Sequence, residues 1–448
     1  MKRFCCVLLL IALITTCSTA AFALDVKFSG SFYAAGLYLD KTNFRKDSGS
    51  DGISTALYYQ RLRVQTEFVV APGLFLFTRF DALERAWGAA RTTPGTTMDP
   101  QSAGTRAENE NIAFDWAYVY YASPIGTFRA GYMNDGAWGT VFMDTAAPRG
   151  KVAWSNTAGQ WFYTLQLVKM TEKSSSALAP ATAADADSDK YVAAVRYTWA
   201  GGEAGLLGGV GRNAQNRPTT NSYTLFYTLQ PYAITRIGPF RIQAELDYFW
   251  GDWSKSDSGA GSNITIQNIA AFLDATAALG KFYLGGTFAY VSGDDPATTD
   301  KLEGNNLLVS GGMDWNSCLI LFNSDLSYWA GSQPGYNSSI VPVNPSGYNG
   351  GPMTNAWFIQ GRAGLRPMEK LDIMASVSYA AADKKPTGYV SDVYGYEIDL
   401  TGTYKITSNL SYMLGVGYLV TGDYFKGTGD TNKITNNYLA IHKLTLTF

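Results

Sequence analysis

The segment Tyr438-Leu-Ala-Ile-His-Lys-Leu-Thr-Leu-Thr-Phe448 closes the 448-residue chain and decides how the rest is read. Leu444, Leu446 and Phe448 share one parity; Lys443, Thr445 and Thr447 share the other. A period of two is a strand, with one apolar and one polar face. His442 falls on the apolar face and Lys443 on the polar one.

The same alternation recurs upstream. Between 58 and 70, Leu62, Val64, Phe68 and Val70 oppose Arg61, Arg63, Gln65 and Glu67. Between 240 and 250, Phe240, Ile242, Ala244, Leu246, Tyr248 and Trp250 oppose Arg241, Gln243, Glu245 and Asp247. Between 394 and 405, Tyr396, Ile398, Leu400 and Tyr404 oppose Glu397, Asp399, Thr401, Thr403 and Lys405. A soluble β-sandwich and a transmembrane barrel both fit this pattern, with opposite faces wetted. Connection lengths separate them. Short links such as 71–73, 123–126, 200–202 and 407–408 alternate with long polar ones at 41–54, 89–111, 171–188, 251–261, 331–351 and 421–435. Short turns at one end and long loops at the other are the habit of an outer-membrane barrel.

The expected fold is therefore all-β, a closed antiparallel up-and-down transmembrane barrel, because an open sheet edge in lipid leaves backbone groups unpaired. Counting alternating segments gives about twenty strands. Eighteen or sixteen also fit, since the pattern weakens around 151–154, 205–211 and 305–321.

The other end agrees. Lys2 and Arg3 precede an apolar run over 7–14, and Ala21-Phe22-Ala23 has the small-x-small form of a cleavage site. This reads as a secretory signal peptide over 1–23, leaving one barrel domain over 24–448. Cys17 suggests a lipoprotein, but Ile14 and Thr16 match that context poorly. Removing Lys2 and Arg3 leaves 33 basic residues against 37 acidic ones, a net charge of −4. No basic tail points to nucleic acid. Cys5, Cys6 and Cys17 leave with the leader, so Cys318 stays alone and no intrachain disulfide is expected. The 29 tyrosines, 23 phenylalanines, 11 tryptophans and 46 glycines suit a barrel with interfacial aromatic belts; Trp199, Tyr248, Trp250, Tyr404 and Tyr418 are candidates.

Catalytic chemistry finds little purchase, and no enzyme activity is expected. The single histidine, His442, would have to serve any Ser-His-Asp triad, and it faces lipid in the last strand. No His/Cys zinc cluster, phosphate-binding Gly-x-x-x-x-Gly-Lys or haem-attaching Cys-x-x-Cys-His occurs, so no cofactor is expected. Asp185, Asp187 and Asp189 imitate the start of an EF-hand loop, but Lys190 stands where glycine belongs and Arg196 where the closing Glu belongs. A solvated acidic loop fits better than a calcium site.

Charge on the inner face is the informative constellation. Alternation turns Arg61, Arg63, Arg79, Arg129 and Arg196 inward, with Glu67 and Asp81. Glu245, Asp247, Asp372, Glu397 and Asp399 follow from the second half, with Arg241, Arg362 and Lys443. A charge facing lipid at mid-depth costs roughly 2–4 kcal/mol. All fifteen are candidate pore-lining residues, and the expected arrangement is a basic wall facing an acidic wall. Lumen hydration with cross-strand pairing and a selective constriction are both open readings.

Two stretches carry a family resemblance. YYQRLRVQTEFVVAPGLFLFTRFDALERAWG (58–88) joins two strands by a Pro-Gly turn, and WAYVYYASPIGTFRAGYMNDGAWGTVFMD (116–144) joins a strand, a Ser-Pro-Ile-Gly turn, a strand and a Gly-rich loop. They resemble porin-like barrels of deltaproteobacterial, metal-reducing-type bacteria and, more distantly, alginate-export-type channels. The final strand, with Leu444, Leu446 and Phe448, resembles the assembly signal of Gram-negative outer-membrane barrels. The resemblance covers about a third of the chain plus that strand. It implies an outer-membrane location and passive diffusion of small hydrophilic solutes or ions through a monomer or homotrimer. Lipid, lipopolysaccharide and the barrel-assembly machinery are the implied partners. The alternative is a sheath holding a multihaem cytochrome. Residues 135–149, with Asp144 and Arg149, suit either an inward-folded loop or an external one.

Overall fold

The computed structural model describes residues 25–46, 53–88, 112–135, 138–142, 148–173, 186–257, 263–304, 316–331, 333–336 and 353–448. Residues 1–23, where a leader is expected, and Asp144 lie outside them. The first half supplies β1 (Asp25–Leu39), β2 (Thr55–Ala71), β3 (Leu74–Ala86), β4 (Ile112–Ser123), β5 (Gly126–Asn134), β6 (Pro148–Ala158), β7 (Trp161–Thr171), β8 (Ser188–Trp199) and β9 (Gly202–Asn213). The second supplies β10 (Ser222–Ile237), β11 (Phe240–Ser256), β12 (Ile264–Leu279), β13 (Phe282–Val291), β14 (Lys301–Leu302), β15 (Ala356–Met368), β16 (Leu371–Ala381), β17 (Val393–Lys405), β18 (Leu410–Thr421) and β19 (Asn437–Thr447).

Apart from the two-residue β14, which pairs parallel with β12, each strand pairs antiparallel with its neighbours around one sheet. β19 returns to β1, from Ser31↔Thr447 to Leu39↔Leu439, and Phe448 exchanges both backbone hydrogen bonds with Gly30, at 2.8 and 3.0 Å. The terminal strand is the closure of an up-and-down barrel. Eighteen strands form its wall, against the twenty of the first count. The weak patterns near 151–154 and 205–211 are strands β6 and β9, whereas 316–321 is no strand at all and folds into the barrel.

The faces are inverted relative to a soluble protein. On β16, Val377 is 56% exposed between Ser376 and Ser378, which are 2% and 1% exposed. Leu165, Ile359, Ile398 and Leu414 repeat this exposure on other strands. An apolar outer surface and a hydrogen-bonded inner face fit a wall that meets lipid. Among the described residues no helix is long and apolar enough to cross a membrane.

Two segments depart from the wall. Residues 138–142, after β5, reach the inner face of β11. Residues 316–330, which include the inner helix Ser324–Ala330, cross to β15–β19 and on to β1 and β2. Ile320, Leu321, Phe322 and Leu326 pack there against Leu37, Leu39, Phe358, Leu419 and Leu439, so this side of the lumen is an apolar core. Burying such side chains contributes about 1.5–3 kcal/mol each, which favours the inward position over an exposed loop. The helix is capped by Asn323, whose side chain accepts from Leu326 N. Its Trp329 stacks on Tyr59 at 4.3 Å, and Asp325 meets Lys443 at 3.2 Å.

Candidate permeation pathway

The wall from β2 to β9 carries five of the eight expected inward cations, Arg61, Arg63, Arg79, Arg129 and Arg196. Arg63 grips Asp81 through two hydrogen bonds, at 2.7 and 2.6 Å. Arg79 pairs with Asp115 at 3.0 Å and lies 3.6 Å over the Trp116 ring. Arg61 reaches Glu84 at 3.3 Å. Parallel forks of this kind hold guanidinium planes fixed. Each arginine of the trio thus has a carboxylate on its own wall, not on the wall opposite. Arg196 pairs with Glu203 at 3.7 Å, and Glu67 pairs near the turn end with Lys27 at 2.8 Å.

Arg129 and Lys151 differ. Neither forms an ion pair among the described residues; Lys151 donates instead to the Asn134 carbonyl at 2.6 Å and to Gln166 at 3.2 Å.

The expected acidic wall is corrected by the inward segments. Glu397 accepts from Ile320 N and Leu321 N at 2.7 and 2.6 Å, and Asp399 accepts from Leu319 N at 3.3 Å. Glu245 Oε2 accepts from Thr140 Oγ1 at 2.8 Å, from Val141 N at 2.6 Å and from Thr140 N. All three carboxylates, and Asp247 beside Glu245, are buried. They lie beneath loop backbone instead of facing open water. The reason is electrostatic: a carboxylate fixed on a strand satisfies the N–H groups that a loop brings into the barrel.

Sequence prepares both contacts. Gly139 has φ +80°, and a Cβ there would lie 2.6 Å from the Glu245 carboxyl carbon. A Cβ on Gly417 would lie 2.6 Å from Asp399 Oδ1 and 3.1 Å from Leu319. Of the remaining candidates, Arg362 pairs with Asp274 at 2.7 Å, and Asp372 accepts from Arg366 and Tyr283, each at 2.8 Å. Arg241 is exposed beside the turn, across from Arg236. Lys443 sits 4.4 Å over the Tyr33 ring, whereas His442 lies on the outer face between Tyr58 and Tyr412. Leu446 and Phe448 are exposed on that outer face.

The sequence reading named none of Glu84, Asp115 and Asp274. Leu83 adopts φ +51° where the β2–β3 register shifts, and the β3–β4 register shifts at Asp115. Each irregularity resets which side chains turn inward. Asp274 needed no such reset and was legible in the alternation of β12.

Cys318 Sγ lies within 4.8 Å of ligand atoms of Glu397 and Asp399. It donates to Ser378 Oγ at 3.1 Å, and both Glu397 oxygens already take loop N–H groups. The cluster thus serves as a loop anchor. Burial, first of all, and the two carboxylates push the thiol well above its usual range. Native protein should resist maleimide at Cys318 and react only after unfolding; rapid labelling of the folded barrel would contradict this packing.

No family model matches the chain, and no curated protein matches it in sequence. Its backbone does match solved barrels. OccK9 (OpdG) of Pseudomonas aeruginosa superposes with a TM-score of 0.52 at 14% identity, covering 94% of this chain and 99% of that one. OpdK of the same organism, solved with vanillate, gives 0.50 at 12% identity, again over 94% and 99%. The fold is that of a Gram-negative outer-membrane porin. A porin fold with an apolar belt fits the Gram-negative outer membrane. At these identities the likeness extends to the fold alone.

Proposed function

We propose that the chain is an outer-membrane channel for passive diffusion of small hydrophilic solutes, with a preference for anions. The observation that carries this is the pair Arg129 and Lys151, which form no ion pair among the described residues, the nearby Asp135 being taken by Lys190 at 2.7 Å. The acids that would balance them from across the barrel, Glu245 and Glu397, are covered by loop backbone. A low-dielectric wall focuses the field of such charges into the remaining lumen. The similarity of 58–88 and 116–144 to metal-reducer-type porins belongs to this reading. So does handing Leu444, Leu446 and Phe448 to the assembly machinery, with lipid and lipopolysaccharide around a monomer or homotrimer.

Planar bilayers with a KCl gradient test it. The reversal potential should lie toward chloride, and the double variant Arg129→Gln/Lys151→Gln should reduce that displacement by roughly half. A potassium-preferring or non-conducting protein would defeat the proposal. The cytochrome-sheath alternative is disfavoured because residues 318–329 occupy the space against β15–β19, β1 and β2. Co-purification of haem with the folded barrel would revive it.

A further inference from the structure

The two pairs of inward carboxylates, Glu245/Asp247 and Glu397/Asp399, are built alike but finished differently. Each pair occupies alternate positions of one strand beneath an inward segment. At Glu397 and Asp399, three successive loop N–H groups take up the charge. At the other pair the donors Thr140 and Val141 all go to Glu245. Asp247 is 0% exposed, and among the described residues neither of its carboxylate oxygens accepts a hydrogen bond.

The neighbours of Asp247 also present oxygen. Extending the register Leu229↔Tyr248 and Tyr232↔Glu245 puts Gln230 directly across from Asp247. Gln230 is 1% exposed; its amide nitrogen meets Thr228 Oγ1 at 2.9 Å and its Oε1 has no partner among the described residues. On β12, Ala270 pairs with Asp247 and brings no side-chain donor. Asn268, one inward position further out, donates its amide nitrogen to the carbonyls of Leu302 and Glu303, and its buried Oδ1 has no partner among the described residues. Asp247 and Gln230 Oε1 meet no donor among the described residues, and burying an uncompensated carboxylate is costly. A hard cation supplies what the hydrogen bonds lack, because oxygen-only ligand sets select calcium-type ions.

We propose that Asp247, Gln230 and Glu245 form a buried calcium site that clamps the 138–142 loop against β11. Glu245 links the two functions, since the same carboxylate holds the loop through Thr140 and Val141. The site stands apart from what the channel carries.

Terbium, a luminescent calcium substitute, gives a direct test on chelator-stripped full-length protein in detergent. Trp138 donates to the Gln230 carbonyl at 2.9 Å and is therefore a built-in sensitiser. The expected result is tryptophan-excited terbium emission displaced by calcium at roughly millimolar concentration or below. Asp247→Asn should abolish the displaceable emission, Trp138→Phe should weaken it while calcium-45 binding persists, and Asp189→Asn in the outer acidic cluster should leave it unchanged. Wild-type protein with no calcium-displaceable emission would overturn the site, whether a proton on Asp247 or a Gln230 amide turned toward it satisfies the carboxylate. Equal emission from folded Asp247→Asn would also overturn it. If that variant fails to fold, the wild-type titration still decides.

Discussion

Excising residues 316–330 in favour of a short Gly-Ser linker is expected to raise single-channel conductance roughly twofold or more, since an eighteen-stranded wall encloses a channel-sized lumen that this segment partly fills. The wall should persist, because its hydrogen-bond ladders run from strand to strand and none is completed by the excised residues. Stability should nevertheless fall. Leu37, Leu39, Phe358, Leu419 and Leu439 would exchange apolar contacts for lumen water, at about 1.5–3 kcal/mol per large side chain before refilling. Conductance in bilayers, alongside the heat-modifiable shift of the folded barrel on gels, reads both effects. A folded variant with wild-type conductance would show that this segment does not obstruct the path.

Glu397→Ala is the sharper version of the same experiment. It leaves Ile320 N and Leu321 N without their acceptor in a buried setting. Each such group costs roughly 1–3 kcal/mol, so the inward position should lose about 2–6 kcal/mol. The barrel ladder is untouched by this change, and the loss falls on the segment. We expect a quiet channel to become a flickering one, with transitions to a larger conductance and a lowered thermal midpoint. Glu397→Gln should be intermediate, because its oxygen still accepts one N–H while its amide opposes the other. Traces from Glu397→Ala indistinguishable from wild type would remove the carboxylate as the pin.

Much of the fold was legible in the chain. Alternation at 58–70, 240–250 and 394–405 marks strands β2, β11 and β17 because side chains of a strand point to opposite faces in turn. Turn and loop lengths told the two barrel ends apart, and Leu444, Leu446 and Phe448 marked the closing strand. The candidate site was half legible. Parity identified Arg61, Arg63 and Arg79, but the positive φ of Leu83 and the register shift at Asp115 hid the partners Glu84 and Asp115. Glu245 and Glu397 lie under loop backbone, and nothing in their own strands says what covers them.

By itself, then, the sequence determined the periodic and local features: strands, turns, an apolar outer face and inward charges, all consequences of a two-residue repeat meeting lipid on one side. Only the tertiary structure decided which of those charges are free. The Glu397 contacts span 76 and 77 residues and those of Glu245 104 and 105, and no pattern within a strand encodes them. They arise because a loop entering a barrel must find acceptors for its buried N–H groups, and the inner carboxylates supply them.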